Sequence, residues 1–224
     1  MKLFADTADT AEIRALAEAG LVDGVTTNPS LVSKAGRPIM DVLTEICSLT
    51  PGPVSAEVAA THAEGMVDEG RHLLDAGPNI VVKVPLTRDG LIACRQLSNA
   101  GARVNVTLCF STVQALLAAK AGAAFVSPFI GRLDDLGVEG MALIRDMRLV
   151  FDQYPELDAE ILTASVRSPL HVAEAAKAGT DAATVPPAVI WRMIEHPMTD
   201  RGLDAFLRDW QSTGQSIVKG DMKP

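Results

Sequence analysis

No run of apolar residues in this 224-residue chain approaches the roughly 20 needed to cross a bilayer. The opening Met-Lys-Leu-Phe-Ala-Asp goes straight into a strand-like pattern, without the apolar stretch and cleavage site of a secretory signal. Cysteine is scarce. Cys47, Cys94 and Cys109 are odd in number and unspaced, so they frame neither disulfides nor a zinc site and predict reduced core thiols in a cytoplasmic protein. Positive charge is in deficit: 20 Lys and Arg against 28 Asp and Glu leave a net charge of −8. That balance argues against nucleic acid and anionic membranes as partners, while an anionic metabolite remains accessible wherever arginines concentrate locally. The four histidines, His62, His72, His171 and His196, form no metal-ligand pattern, and the expectation is a protein without metal or cofactor. Linkers and low-complexity stretches are missing as well.

What the chain does have is apolar mass. Some 48% of its residues are apolar and mean hydropathy is +0.20, which supports a sizeable core and excludes disorder. The dipeptide Ala-Gly recurs at Ala19-Gly20, Ala76-Gly77, Ala100-Gly101, Ala121-Gly122 and Ala178-Gly179. Each follows a helical stretch rich in Ala, Leu and Glu, where glycine reads as a cap in the left-handed conformation. Each soon precedes a short run of Val, Ile, Thr or Ala. Eight such strand candidates begin near Lys2, Gly24, Pro53, Asn79, Arg103, Ala124, Glu160 and Asp181. Alternating β and α units in a chain of this length predict an α/β fold, a single (β/α)8 barrel over residues 1–198. An open doubly wound sheet would call for a Gly-rich phosphate loop after the first strand, and Asp6-Thr7-Ala8-Asp9 is not one. Residues 199–224 form a separate tail. Leu203, Phe206, Leu207 and Trp210 fall at helical spacing there and predict an extra C-terminal helix that packs on a neighbouring subunit.

Lys83 stands alone in Ile80-Val81-Val82-Lys83-Val84-Pro85, a run that reads as a strand buried on both faces. Lysine is almost never fully buried without a partner. One reading is a strand-end lysine that snorkels to solvent; the other is an amine nucleophile, since desolvation disfavours the ammonium and frees the lone pair. Residues two apart share a face of a strand. Polar residues recur at matched parity near the strand ends: Thr26 and Asn28, Ser55 and Glu57, Asn105 and Thr107, Ser127 with Phe129, then Thr163, Ser165 and Arg167, with Asp6 ending the first strand. In a barrel those ends converge on the catalytic face.

These segments, Phe4-Ala5-Asp6-Thr7-Ala8, Gly24-Val25-Thr26-Thr27-Asn28-Pro29-Ser30, the Lys83 run, Ser127-Pro128-Phe129-Ile130-Gly131-Arg132 and Ala164-Ser165-Val166-Arg167, resemble the motifs of transaldolases, and the likeness runs through nearly the whole chain. The length is similar to the small-subunit branch, which also contains fructose-6-phosphate aldolases. The resemblance implies a Schiff base on Lys83, Asp6 as acid/base at the C4 hydroxyl, and Glu57 with Thr107 holding a catalytic water. It also implies Asn28, Asn105 and Ser127, assisted by Thr26, around a bound dihydroxyacetone unit, and Arg132, Ser165 and Arg167 at a phosphate. The activity so implied moves a dihydroxyacetone unit from fructose 6-phosphate or sedoheptulose 7-phosphate to erythrose 4-phosphate or glyceraldehyde 3-phosphate, in the non-oxidative pentose phosphate pathway. The partners so implied are phosphorylated sugars and further copies of the chain, often as a ring-based decamer.

The alternative is fructose-6-phosphate aldolase. Relatives of that type tend to carry Gln at the position of Glu57 and Tyr at that of Phe129, and both residues here side with transaldolase. Val166, where relatives often have Phe, departs from the pattern. A non-catalytic sugar-phosphate sensor is the third reading, and it needs neither Lys83 nor Asp6.

Overall fold

Short polar side chains start five of the helices. Asp9, Asn28, Thr87, Ser111 and Ser168 each accept a hydrogen bond from a backbone N–H of the first helical turn that would otherwise go unpaired. Asp9, and not Asp6, therefore caps the first helix. Gly20, Gly101, Gly122 and Gly179 follow helices with φ between 68° and 92°, the left-handed region that glycine enters cheaply. Gly77 departs from that expectation. Its helix runs on into a 3₁₀ turn, Leu74–Ala76, and Gly77 is extended at φ 169°. It is glycine for lack of room: a Cβ would lie 2.8 Å from that of Cys47.

The structure is a computed structural model that describes residues 1–217, so the end of the tail, 218–224, lies outside the described residues. Eight parallel strands, β1 (Lys2–Asp6), β2 (Gly24–Thr26), β3 (Val54–Glu57), β4 (Ile80–Pro85), β5 (Val104–Cys109), β6 (Phe125–Pro128), β7 (Glu160–Thr163) and β8 (Ala182–Val185), close into a barrel in sequence order. Between them run α1 (Thr10–Glu18), α2 (Pro29–Ala35), α3 (Ile39–Leu49), α4 (Ala63–Leu73), α5 (Arg88–Asn99), α6 (Thr112–Lys120), α7 (Ile130–Asp134), α8 (Gly140–Phe151) and α9 (Pro169–Lys177). The protein is thus an α/β (β/α)8 barrel. Two compact units divide the chain after Ile190, and the barrel lies wholly in the first. The second carries α11 (Pro197–Ser212), which follows the short α10 (Pro187–Arg192). No residue of α11 is buried, and Leu203, Phe206, Leu207 and Trp210 are exposed. Among the described residues no helix is long and apolar enough to cross a membrane.

Phe4, Val81, Phe125, Leu162 and Ala182, all fully buried, pack together inside the barrel. Phe4 and Phe125 meet edge to face with ring centroids 5.9 Å apart. Gly24 makes room for them, because a Cβ there would stand 2.9 Å from the Phe4 ring and 2.7 Å from the Pro53 carbonyl. This plug fixes the parity of each strand. Two residues beyond Phe4, Val81 and Phe125 come Asp6, Lys83 and Ser127, on the same inward face.

Strand β7 corrects the parity expected from its sequence. Leu162 belongs to the plug and Ala164 lines the cavity above it, so the inward set is even-numbered. Thr163 points the other way and is fully buried, with its hydroxyl 2.9 Å from that of Thr180. Ser165 still reaches the cavity because its backbone turns over at φ 61°, a rare conformation for a residue with a side chain. A second such residue, Leu108 at φ 60°, sits where the β5–β6 register slips between Val106 and Cys109.

Candidate active site

A cavity of about 160 Å³ opens at the C-terminal ends of the strands, directly above the plug. Its lining brings together Asp6, Thr26, Asn28, Lys83, Thr107, Ser127, Phe129, Arg132 and Ser165, which are nine of the twelve residues expected from the sequence. Ala164 and Thr184 complete it. Thr184 was not anticipated, although a polar residue late in β8 follows the same rule as those in the other strands.

Lys83 is 6% exposed, so it does not snorkel. Its Nζ lies 3.0 Å from Glu57 Oε2 and donates to the Thr27 carbonyl at 3.2 Å. Glu57 and Lys83 are register partners on β3 and β4, which sets the two side chains next to each other inside the barrel. Glu57 thus joins the site through Lys83 without lining the cavity. Across the cavity, burial pushes the Asp6 carboxyl above the ordinary range, while the Lys83 charge and a hydrogen bond from Thr26 pull it back down. Thr26 Oγ1 lies 2.9 Å from Asp6 Oδ1 and 2.5 Å from Thr184 Oγ1.

Asn28 does two jobs at once. Its Oδ1 accepts from Leu31 N as the cap of α2, which leaves the amide Nδ2 as the group it can donate into the cavity. Asn105 sits one level lower and is fully buried. It donates to Ser55 Oγ at 3.1 Å and accepts from Ser127 Oγ at 2.8 Å, so it orients Ser127 and does not itself reach the cavity. Thr107 Oγ1 is buried and finds no hydrogen-bond partner among the described residues. A buried hydroxyl left in that condition is costly, and this one belongs to a cavity-lining residue.

Phe129 links the hydroxyl-rich side to the mouth. The Arg132 guanidinium lies 4.9 Å from its ring centroid, and Phe110 meets it edge-on at 6.0 Å. Arg167, by contrast, is outside the lining. Its two terminal nitrogens bond both oxygens of Asp135, and that pairing holds the Asp135 carboxyl below its ordinary range. Gly131 packs against Ser165 and Arg167, for a Cβ there would come within 2.3 Å of the Ser165 carbonyl and 2.7 Å of Arg167 Nε.

Among the described residues no cysteine lines this cavity. Burial pushes the Cys94 thiol up to about 12 and those of Cys47 and Cys109 up to about 11, so none is a thiolate near neutrality. No group of three or more His, Cys, Asp or Glu able to hold a metal ion occurs among the described residues. A larger hollow of about 420 Å³ lies between the start of α1 and α2. Its charged residues Asp9, Lys34 and Arg37 are exposed, and Arg37 is tied to Glu45 at 2.7 Å, whereas the buried charged residue, Lys83, lines the smaller cavity.

A closed (β/α)8 barrel here gathers a buried lysine, two carboxylates and several hydroxyls at the C-terminal face, where barrel enzymes keep their active sites. The comparisons with known proteins name the family. A transaldolase/fructose-6-phosphate aldolase profile matches residues 3–217. The chain is 60% identical over 219 residues to a "probable transaldolase" of Rhodospirillum centenum, covering 98% of this chain and 95% of the relative. It is 61% identical over 218 residues to the protein of that name from Cereibacter sphaeroides, covering 97% and 99%. The chain therefore belongs to the transaldolase/fructose-6-phosphate aldolase family. Among solved structures, 3-hexulose-6-phosphate synthase superposes with a TM-score of 0.63 over 86% of this chain and 98% of that one, at 18% identity, which is a likeness of fold alone.

Proposed function

We propose that the protein is a transaldolase that works through a Schiff base on Lys83, with phosphorylated sugars as donor and acceptor. The observation that carries the reading is the buried Lys83 ammonium site, 3.0 Å from Glu57 and facing the same cavity as Asp6. Glu57 is placed to take the proton that Lys83 must lose, and the freed amine attacks the C2 carbonyl of a ketose phosphate. The carbinolamine then expels its oxygen as water. Glu57 and a water held at Thr107 Oγ1 carry the protons for that step. Asp6 removes the proton from the C4 hydroxyl, the C3–C4 bond breaks, and its electron pair flows into the iminium to give an enamine. The aldose phosphate leaves. The enamine carbon attacks the carbonyl of the incoming aldose phosphate, Asp6 returns its proton to the new hydroxyl, and water releases the product from Lys83.

Asn28 Nδ2 and the Ser127 hydroxyl would hold the three-carbon unit, with Asn105 setting the direction of Ser127. Arg132 and Ser165 would receive the phosphate, and Arg167 would have to share itself with Asp135. This chemistry fits fructose 6-phosphate or sedoheptulose 7-phosphate as donor and erythrose 4-phosphate or glyceraldehyde 3-phosphate as acceptor, in the non-oxidative pentose phosphate pathway. The printed names of the relatives support it. The exposed apolar residues of α11 support assembly with further copies of the chain.

Borohydride added with fructose 6-phosphate tests the chemistry by mass spectrometry. A reduced three-carbon adduct on Lys83 is expected, and an adduct on another lysine, or none, overturns the assignment. Separate assays of transfer and of free dihydroxyacetone then divide transaldolase from aldolase. Transfer should dominate, because Phe129 brings no hydroxyl to the water site; Phe129→Tyr should raise release.

A further inference from the structure

Thr26 and Thr184 form a directed chain of hydroxyls that ends on Asp6. A hydroxyl has one proton to donate, whereas an ionised carboxylate oxygen can only accept. Thr26 Oγ1 lies 2.9 Å from Asp6 Oδ1, so its proton belongs there. The 2.5 Å contact between Thr26 and Thr184 then needs Thr184 as donor. The order is Thr184 to Thr26 to Asp6. Protonating Asp6 at Oδ1 would require both hydroxyls to turn over, so the chain favours the ionised carboxyl. Both threonines are nearly fully buried, where water competes poorly for these bonds.

We propose that Thr184 is a positioning residue for Asp6. It acts through Thr26, fixes the donating direction of that hydroxyl, and thereby holds Oδ1 and leaves Oδ2 for the sugar hydroxyl. Its place follows from register, since β8 pairs Thr184 with Phe4 on β1, two residues before Asp6, and β2 pairs Thr26 with Asp6 itself. The other groups facing Asp6 are few. Strand β4 brings Lys83, Asn28 follows β2, α7 brings Arg132 at the mouth, and Glu57 on β3 acts only through Lys83. A threonine kept only for packing would be replaced by valine, its near isostere, without any change in the titration of Asp6.

The chemistry by which Asp6 is read in turnover rests on the function proposed above, so the test has two independent readouts. The first is the carboxyl carbon resonance of Asp6, followed by NMR across pH in the free protein for wild type, Thr184→Val, Thr184→Ala and Thr184→Ser. The second is the pH profile of kcat/KM for transfer from fructose 6-phosphate. In Thr184→Val and Thr184→Ala the Asp6 titration and the acidic limb should both move to higher pH, by roughly half a unit, the worth of one hydrogen bond. Thr184→Ser, which keeps the hydroxyl, should restore both. An Asp6 titration that coincides in wild type, Val and Ala proteins overturns the proposal, as does a shift that Ser fails to reverse. If wild type shows no transfer at all, the transaldolase reading falls, and the NMR titration still decides the role of Thr184.

Discussion

Glu57 Oε2 and Lys83 Nζ stand 3.0 Å apart as register partners of adjacent strands, both largely shielded from water. Removing one member of a buried pair leaves a charge without a counter-ion, at about 3 kcal/mol or more, whereas replacing both by apolar residues is often neutral. Glu57→Leu should therefore lower stability by about 3 kcal/mol in urea unfolding, and the double variant Glu57→Leu, Lys83→Met should recover most of it. Equal losses in the single and double variants would show that the pair is not coupled in the folded state.

Asp6 should cost the fold stability at neutral pH. Its folded carboxyl is raised, by burial above all, so the native state binds its proton more tightly than the unfolded chain does. Stability from this group is lost as pH rises from the ordinary carboxylate value, about 3.9, through the raised folded value. Asp6→Asn should melt above wild type at pH 7, with the gap closing toward pH 4, while transfer activity is lost. A wild type that melts above Asp6→Asn at neutral pH would contradict this.

Arg132 and Arg167 should not weigh equally. Arg132 lines the cavity, while Arg167 is engaged by Asp135. Arg132→Ala should raise KM for phosphorylated sugars roughly ten- to a hundredfold, as one charge-assisted bond predicts, with much less effect on unphosphorylated dihydroxyacetone chemistry. Arg167→Ala should have the smaller effect. Asp135→Asn, which weakens that pairing, should lower KM. A larger effect at Arg167 than at Arg132 would exchange their roles.

The barrel should fold without α11, since Met1–Ile190 forms a compact unit by itself. Deleting residues from Thr199 onward should leave far-ultraviolet circular dichroism dominated by the barrel, with a smaller assembly in sedimentation. An unchanged assembly size would remove α11 from the subunit contacts.

Lys83 and the strand ends were legible because a polar side chain in a buried strand has few reasons to be there. Thr26, Glu57, Thr107 and Ser127 carry that signal in sequence, and all four belong to the inward face. Strand β7 carried no such signal. Leu162 and Ala164 are as apolar as the outward residues, so the alternation that would reveal parity is missing, and Thr163 misleads. Ser165 arrives by a left-handed backbone turn that no periodicity encodes. Arg167 was legible as a cation, but its engagement with Asp135 depends on the segment after α7 meeting the segment after β7, which is tertiary information. The inner role of Asn105 is hidden for the same reason, since its partners Ser55 and Ser127 lie 50 and 22 residues away.

The aromatic plug of Phe4 and Phe125 closes the barrel below the cavity, so a substrate bound there has one mouth by which to enter and leave. In the reaction proposed above, the departing aldose and the incoming one would occupy the same part of this cavity of about 160 Å³, beside the enamine. On that reading the first aldose departs before the second arrives. Double-reciprocal plots for the two substrates should accordingly be parallel, the mark of a ping-pong order that the floor of the barrel imposes.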